Sequence, residues 1–254
     1  MKFSNNPSAA ENSKHERFSS TVFERIKGGL IVSCQALPDE PLFGSDTMAK
    51  MAYAAQQGGA VGIRANSTED ILAIREMVDL PIIGIIKKEF TGCTVYITPT
   101  DDEVAALIDI HVDIVAMDAT QRLRPDGSTL ESFFTPLRSR YPDTIFMADC
   151  ATLEDAILAQ QLGFNCVSTT LCGYTESTKN IPIPSLSLIR AMADRIDLPV
   201  IAEGGIWTPD QLVSTIQSGA WAAVVGTAIT RPMEIVSRYH KALCNWQRAQ
   251  LSEL

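Results

Sequence analysis

From Gly28 onward the chain repeats one pattern eight times: a short, nearly continuous apolar run, then a stretch whose apolar residues recur at helical spacing. The runs fall at 30–35, 60–64, 81–86, 113–117, 144–148, 166–170, 199–202 and 222–226. A strand that is apolar at every position is buried on both faces, which requires parallel strands covered by helices. Eight such strands joined by helices match a single (β/α)8 TIM barrel, and 254 residues are what one barrel needs. The structural competitor is a doubly wound open sheet, which would carry a glycine-rich fingerprint after its first strand. Here that strand leads into Cys34-Gln35-Ala36-Leu37-Pro38 instead.

The helices carry their own punctuation. Met48, Met51, Ala52 and Ala55 lie at helical spacing within 45–57, and Gly58-Gly59 follows as a stop. Ser67 lies three residues before Asp70, the pattern of a capping box. Pro232 opens a last helix running to about residue 250. The barrel is expected to occupy residues 21–254. Residues 1–20 are polar and lack the apolar core of a signal peptide, which predicts a disordered tail.

Barrel chemistry gathers at the C-terminal ends of the strands. Reading those ends in order gives Gln35, Arg64, Lys87-Lys88, Asp118, Asp149, the run Ser168-Thr169-Thr170, Glu203 and Gly226. One polar residue at a strand end is ordinary; convergence of so many on one rim predicts an active site. Successive strand residues point to opposite faces, so only one of Lys87 and Lys88 enters the mouth, and the sequence does not say which. An inward lysine loses hydration, its pKa falls, and it becomes able to act as a neutral base. Otherwise both are solvated, or paired with Asp118 or Glu203. The segment 91–97 follows the third strand and should lie on the same rim.

Glycine-bearing turns follow the seventh and eighth runs: Glu203-Gly204-Gly205 and Gly226-Thr227. These are the usual phosphate seats of barrels, because glycine lets backbone N–H groups approach the oxygens. The formal charge of −9 makes such local donors necessary for any anion, and with no basic stripe it argues against nucleic acid as a partner. No run approaches the length of a membrane span. The six cysteines, Cys34, Cys93, Cys150, Cys166, Cys172 and Cys244, show no paired spacing, which predicts reduced thiols and a cytoplasmic protein. His15, His111 and His240 have no ligand partners at useful spacing. Asp118, Asp149 and Glu203 remain an alternative set for Mg²⁺.

In sequence order, the motifs Ile31-Val32-Ser33-Cys34-Gln35-Ala36, Gly62-Ile63-Arg64-Ala65, Ile83-Gly84-Ile85-Ile86-Lys87, Met117-Asp118-Ala119-Thr120, Met147-Ala148-Asp149, Cys172-Gly173-Tyr174-Thr175, Ala202-Glu203-Gly204 and Ala228-Ile229-Thr230-Arg231-Pro232 resemble the N-acetylmannosamine-6-phosphate 2-epimerase family. The resemblance runs from about Gly28 to Leu243. It implies a cofactor-free, metal-free barrel that interconverts N-acetylmannosamine 6-phosphate and N-acetylglucosamine 6-phosphate in sialic-acid catabolism. It also implies a homodimer formed through C-terminal helices. Lys87 matches the catalytic lysine and Glu203 its acidic partner. Gln35, Arg64, Asp118, Asp149 and Tyr174 match sugar-contacting positions, and Gly204, Gly205, Gly226 and Thr227 the phosphate seat. Two residues depart from the pattern: Gly205 stands where a basic residue is frequent, and Thr227 where a second glycine is. The rival readings are another phosphosugar barrel isomerase or aldolase, and a sugar-phosphate sensor without chemistry.

Overall fold

The computed structural model describes residues 21–252; the expected polar tail, 1–20, lies outside the described residues. A short helix α1 (Thr21–Ile26) precedes eight strands: β1 (Leu30–Cys34), β2 (Gly62–Asn66), β3 (Ile82–Ile85), β4 (Ile114–Asp118), β5 (Phe146–Asp149), β6 (Cys166–Ser168), β7 (Val200–Glu203) and β8 (Ala222–Val225). Each strand pairs in parallel with the next, and β1 pairs with β8, so the sheet closes into a barrel. Between them run α2 (Ser45–Gln57), α3 (Thr68–Met77), α4 (Asp101–Asp109), α5 (Leu130–Arg140), α6 (Leu153–Leu162), α7 (Leu186–Arg195) and α8 (Pro209–Gln217). A single turn α9 (Thr227–Thr230) and the long α10 (Pro232–Ser252) follow β8.

Several strands sit one or two residues beyond the apolar runs that predict them: β2 reaches Asn66, β4 Asp118 and β5 Asp149. The ladder extends into the polar strand ends because their backbones still pair, with Asp118 opposite Asp149. Ser67 caps α3 by accepting from Asp70 N at 3.2 Å. The reciprocal half of the expected box is absent. Asp70 Oδ1 accepts instead from Ser45 Oγ at 2.7 Å, and Ser67 N donates to Ile85 O. The cap thereby ties α3 to α2 and to β3.

Alternation along the strands sorts the core into two layers. Val32, Ile63, Val115, Phe146, Val167 and Val200 pack outward against the helices. Ile31, Ile83, Ile85, Ile114, Met147, Cys166, Ile201 and Val224 pack into the barrel. Burying one such side chain contributes about 1.5–3 kcal/mol, so the interior is a packed core rather than a pore. Phe23 and Ile26 of α1 join the inner layer and close its lower end, which no sequence pattern announced. Trp221 Nε1 donates to Phe23 O at 2.9 Å and holds that plug against the start of β8.

Candidate active site

The two-residue period that places Ile83 and Ile85 inside the barrel carries Lys87 to the same side, above them. Lys88 takes the opposite face. It pairs with Glu103 at 2.7 Å and is 47% exposed. The same alternation continues from Ile31 to Ser33 and Gln35, from Gly62 to Arg64, from Ser168 to Thr170, and from Ile201 to Glu203. Ser33, Gln35, Arg64, Thr170 and Glu203, with Lys87, line one cavity of about 360 Å³ at the C-terminal mouth.

Arg64 is the principal electrostatic element of that mouth. Its side chain is 1% exposed and crosses the barrel from β2 to reach β5 and β7. It donates to both carboxylate oxygens of Asp149, at 3.1 and 2.6 Å, and lies 3.2 Å from Glu203 Oε2. Burial by itself lowers the guanidinium's pKa, but the Asp149 and Glu203 carboxylates more than offset this and raise it, so the group is a fixed cation.

Glu203 ends β7. Its backbone is clamped by Thr169, whose Oγ1 donates to Glu203 O at 2.8 Å and accepts from Glu203 N at 3.0 Å. Burial raises its carboxyl above the usual range, against the pull of Arg64. Thr170 Oγ1 lies 2.8 Å from Asp149 Oδ1 and 3.0 Å from Glu203 Oε2. One hydroxyl proton satisfies one carboxylate at a time, so a protonated Glu203 completes the chain by donating to Thr170. Glu203 is therefore suited to carry a proton that it can give up.

Lys87 differs from both. Its backbone N donates to Asn66 Oδ1 at 2.7 Å, which fixes the start of the loop. Its Nζ has no ion-pair partner among the described residues. Burial, reinforced by the nearby Arg64 and Arg231 charges, lowers its pKa from 10.5 to about 8. An amine so placed is neutral in a usable fraction near neutral pH and able to take a proton.

Asp118 and Asp149 are fully buried, and the structure does not bring either to the cavity wall. They face each other across the β4–β5 register, where like charges repel. Each is neutralised separately, Asp149 by Arg64 and Asp118 by Arg122 at 2.5 Å, with Thr120 N and Oγ1 also donating to Asp118. Among the described residues no group of three or more His, Cys, Asp or Glu is arranged to hold a metal ion. Tyr174, 57% exposed, stands at the cavity rim.

Gly204, Gly205, Gly226 and Thr227 all line the cavity on the β7–β8 side. At Gly205 φ is +72°, and a Cβ would lie 2.7 Å from the carbonyl carbon of Ile183. Glycine is thus enforced here by Ile183, and a basic side chain would not fit this backbone. Gly226 caps α9, and Thr230 Oγ1 bonds back to Ser33 O at 2.8 Å, tying this turn to β1.

Ser33, Thr170, Tyr96 and Arg231 line the cavity without having been singled out as contacts from sequence. Thr170 follows Ser168 at strand spacing, and that parity was the available signal. Arg231 closes the β8 side, paired at 3.1 Å with Glu40 in the loop after β1.

Known proteins resemble this chain over most of its length. A family model described as "Putative N-acetylmannosamine-6-phosphate epimerase" matches residues 48–245. A "Putative N-acetylmannosamine-6-phosphate 2-epimerase" from Caldanaerobacter subterraneus subsp. tengcongensis is 50% identical over 218 residues, 86% of this chain and 92% of that protein. A relative of the same description from Listeria monocytogenes is 50% identical over 222 residues, covering 87% and 94%. The solved N-acetylmannosamine-6-phosphate 2-epimerase of Clostridium perfringens superposes with a TM-score of 0.83 at 44% identity, over 88% of this chain and 97% of that one. Thiamine phosphate pyrophosphorylase from Pyrococcus furiosus, at 18% identity and a TM-score of 0.54, shares the barrel fold alone. The chain belongs to the N-acetylmannosamine-6-phosphate epimerase family.

Proposed function

We propose that this protein interconverts N-acetylmannosamine 6-phosphate and N-acetylglucosamine 6-phosphate by removing and returning the proton at C2. The observation that carries this reading is Lys87: an inward amine without an ion-pair partner, its pKa lowered by burial, beside a fixed guanidinium and a carboxyl suited to hold a proton.

In the open-chain sugar the C2 hydrogen lies next to the C1 aldehyde and is therefore acidic. Neutral Lys87 removes it, and the electron pair moves onto the carbonyl oxygen as an enolate. Arg64, held in place by Asp149, stabilises the oxygen charge as it develops. Glu203 supplies a proton to the opposite face, and Lys87 gives up its own in the reverse direction. Gln35 and Tyr174 bind the sugar. Asp118 lies behind the wall, where it holds Arg122 against the segment at Thr94. The phosphate sits against the turns Gly204-Gly205 and Gly226-Thr227, where glycine allows close approach of backbone donors. The reaction as written requires neither metal nor organic cofactor.

The C-terminal helix supports a homodimer. Met233, Val236, Tyr239, Leu243 and Trp246 are all exposed along α10, an apolar stripe that a second copy would cover. A reducing, cytoplasmic location fits six free cysteines, of which Cys34, Cys150, Cys166 and Cys172 are buried. No helix among the described residues is long and apolar enough to cross a membrane.

The test is incubation of purified protein with N-acetylmannosamine 6-phosphate in D₂O without added metal, following C2 by NMR. The C2 proton signal should disappear as N-acetylglucosamine 6-phosphate forms. Product formed with its C2 hydrogen retained would refute the exchange mechanism, and no turnover would refute the activity.

A further inference from the structure

The loop after β3 returns to the strand it leaves. Lys88 N donates to Tyr96 O at 3.0 Å and Thr98 N to Ile86 O at 2.8 Å, while Lys87 and Ile97 form an antiparallel bridge. From the β4 side two arginines lock the returning segment. Arg122 Nη1 donates to Thr94 O at 2.9 Å, and Arg124 Nη1 to Pro99 O at 3.0 Å. The result is a fixed loop that carries Tyr96 into the cavity wall beside Lys87 and Ile97.

In the closed strand order β3 lies four places from β7, so Tyr96 stands across the mouth from the Gly204-Gly205 turn. No group among the described residues accepts from its hydroxyl, and burial, with Asp149 and Asp118 nearby, raises the phenol above its ordinary pKa. It is therefore a neutral O–H donor with no protein acceptor. The neighbouring polar groups are wholly or partly committed. The Arg64 Nη atoms serve carboxylates, and Gln35 Nε2 spends one of its two N–H groups on Ser33 Oγ at 2.8 Å, while Gln35 Oε1 can only accept.

We propose that Tyr96 is a specificity residue for the acylamino substituent at C2, its hydroxyl donating to the acyl carbonyl oxygen. This rests on the epimerase reading above. With the 6-phosphate at the β7–β8 turns and the C2 hydrogen at Lys87, the C2 substituent lies on the Lys87 side of the cavity. The Tyr96 hydroxyl is a donor there with no protein acceptor among the described residues, and the Ile97 side chain offers the acyl methyl an apolar surface.

The experiment is calorimetric titration of wild type and Tyr96→Phe with N-acetylglucosamine 6-phosphate and with glucose 6-phosphate, which has a hydroxyl at C2. Wild type should prefer the acetamido sugar. Tyr96→Phe should weaken that ligand about three- to tenfold and leave glucose 6-phosphate unchanged. Unchanged glucose 6-phosphate binding also shows that the variant is folded. If both ligands weaken equally, or neither does, Tyr96 does not read the acyl group and the epimerase reading still stands. If wild type itself shows no preference for the acetamido sugar, the epimerase reading falls and this proposal with it.

Discussion

The two ends of the barrel interior share one backbone geometry and differ almost completely in chemistry. At the lower end Phe23 and Ile26 plug an inner layer of Ile31, Ile83, Ile114 and Ile201, with no charge among them. Two residues further along the same strands, the inward positions become Ser33, Ile85, Ala116 and Glu203, with Arg64 and Asp149 between them. The dry lower layer gives the upper one its strength. With apolar packing beneath, a charge in the mouth is poorly solvated from below. It must then be paired, as Arg64 is, or shift its protonation, as Lys87 and Glu203 do. A barrel open at the base would leave the same residues as ordinary solvated ions.

The sharpest way to break this comparison is to remove Lys87, which has no ion-pair partner among the described residues. Lys87→Ala should lower C2 proton exchange by about 10²–10⁴-fold, the usual contribution of a positioned general base. Phosphosugar binding should change little, because the phosphate seat lies across the mouth. Exchange measured in D₂O beside calorimetric binding separates the two. Near-normal exchange in the variant would remove Lys87 from the chemistry.

Next in size is loss of a partner inside the upper layer. Asp149→Ala leaves Arg64 buried with only Glu203, and breaking a buried pair of this kind destabilises by about 3–5 kcal/mol. Urea unfolding reads the loss directly. A change below 1 kcal/mol, about the value of an exposed pair, would mean that the mouth is wetter than its burial implies.

The fold was legible because eight apolar runs with capped helices between them admit few architectures. The strand ends also named the rim, since inward residues at that height must be polar to serve a ligand. Orientation was not legible. A Lys87-Lys88 dipeptide offers one inward and one outward lysine whichever way the strand faces, and only its register with Ile83 and Ile85 decides. Asp118 and Asp149 end strands and match sugar-contacting positions by resemblance, yet both lie off the cavity wall. Their arginine partners lie four residues away in one case and across the barrel in the other, where no local pattern reveals them. Tyr96 and Arg231 escaped because each reaches the cavity from a connecting segment, and loop residues carry no periodicity from which a direction could be read.

A smaller effect sharpens the same contrast through pH. Below about pH 8 Lys87 is protonated in both the folded and the unfolded chain, and the folded state bears the desolvation of that charge. Between about 8 and its ordinary 10.5 the unfolded chain alone holds the proton, so stability from this group rises with pH across that window. Lys87→Met should therefore exceed wild type in stability at pH 7, with the gap narrowing as pH climbs towards 10.5. In parallel, wild-type kcat/KM should rise about tenfold per pH unit well below 8 as Lys87 loses its proton, and turn down at higher pH once Glu203 has lost the proton it supplies. A gap that widens with pH would mean that the amine is stabilised as a cation, contrary to its role as a base.

The smallest effect belongs to the neighbouring lysine and serves as the control for all the others. Lys88 is exposed on the helix side and meets Glu103 at 2.7 Å, a carboxylate that also accepts from Thr100 N at 2.9 Å within the capping box of α4. Glu103 keeps those bonds when the lysine is removed, so Lys88→Ala leaves no buried charge unsatisfied. Its pKa is raised by the hydrogen bond to Glu103, the reverse of the shift at Lys87. C2 exchange in Lys88→Ala should stay within about twofold of wild type, because the half-exposed Lys88 and the buried Glu103 lie on the helix side of the sheet, away from the cavity lining. The pH at which the rise in kcat/KM ends should not move. If Lys88→Ala shifted that pH or lost activity on the scale of Lys87→Ala, the sheet would not be insulating the barrel mouth from the helix layer.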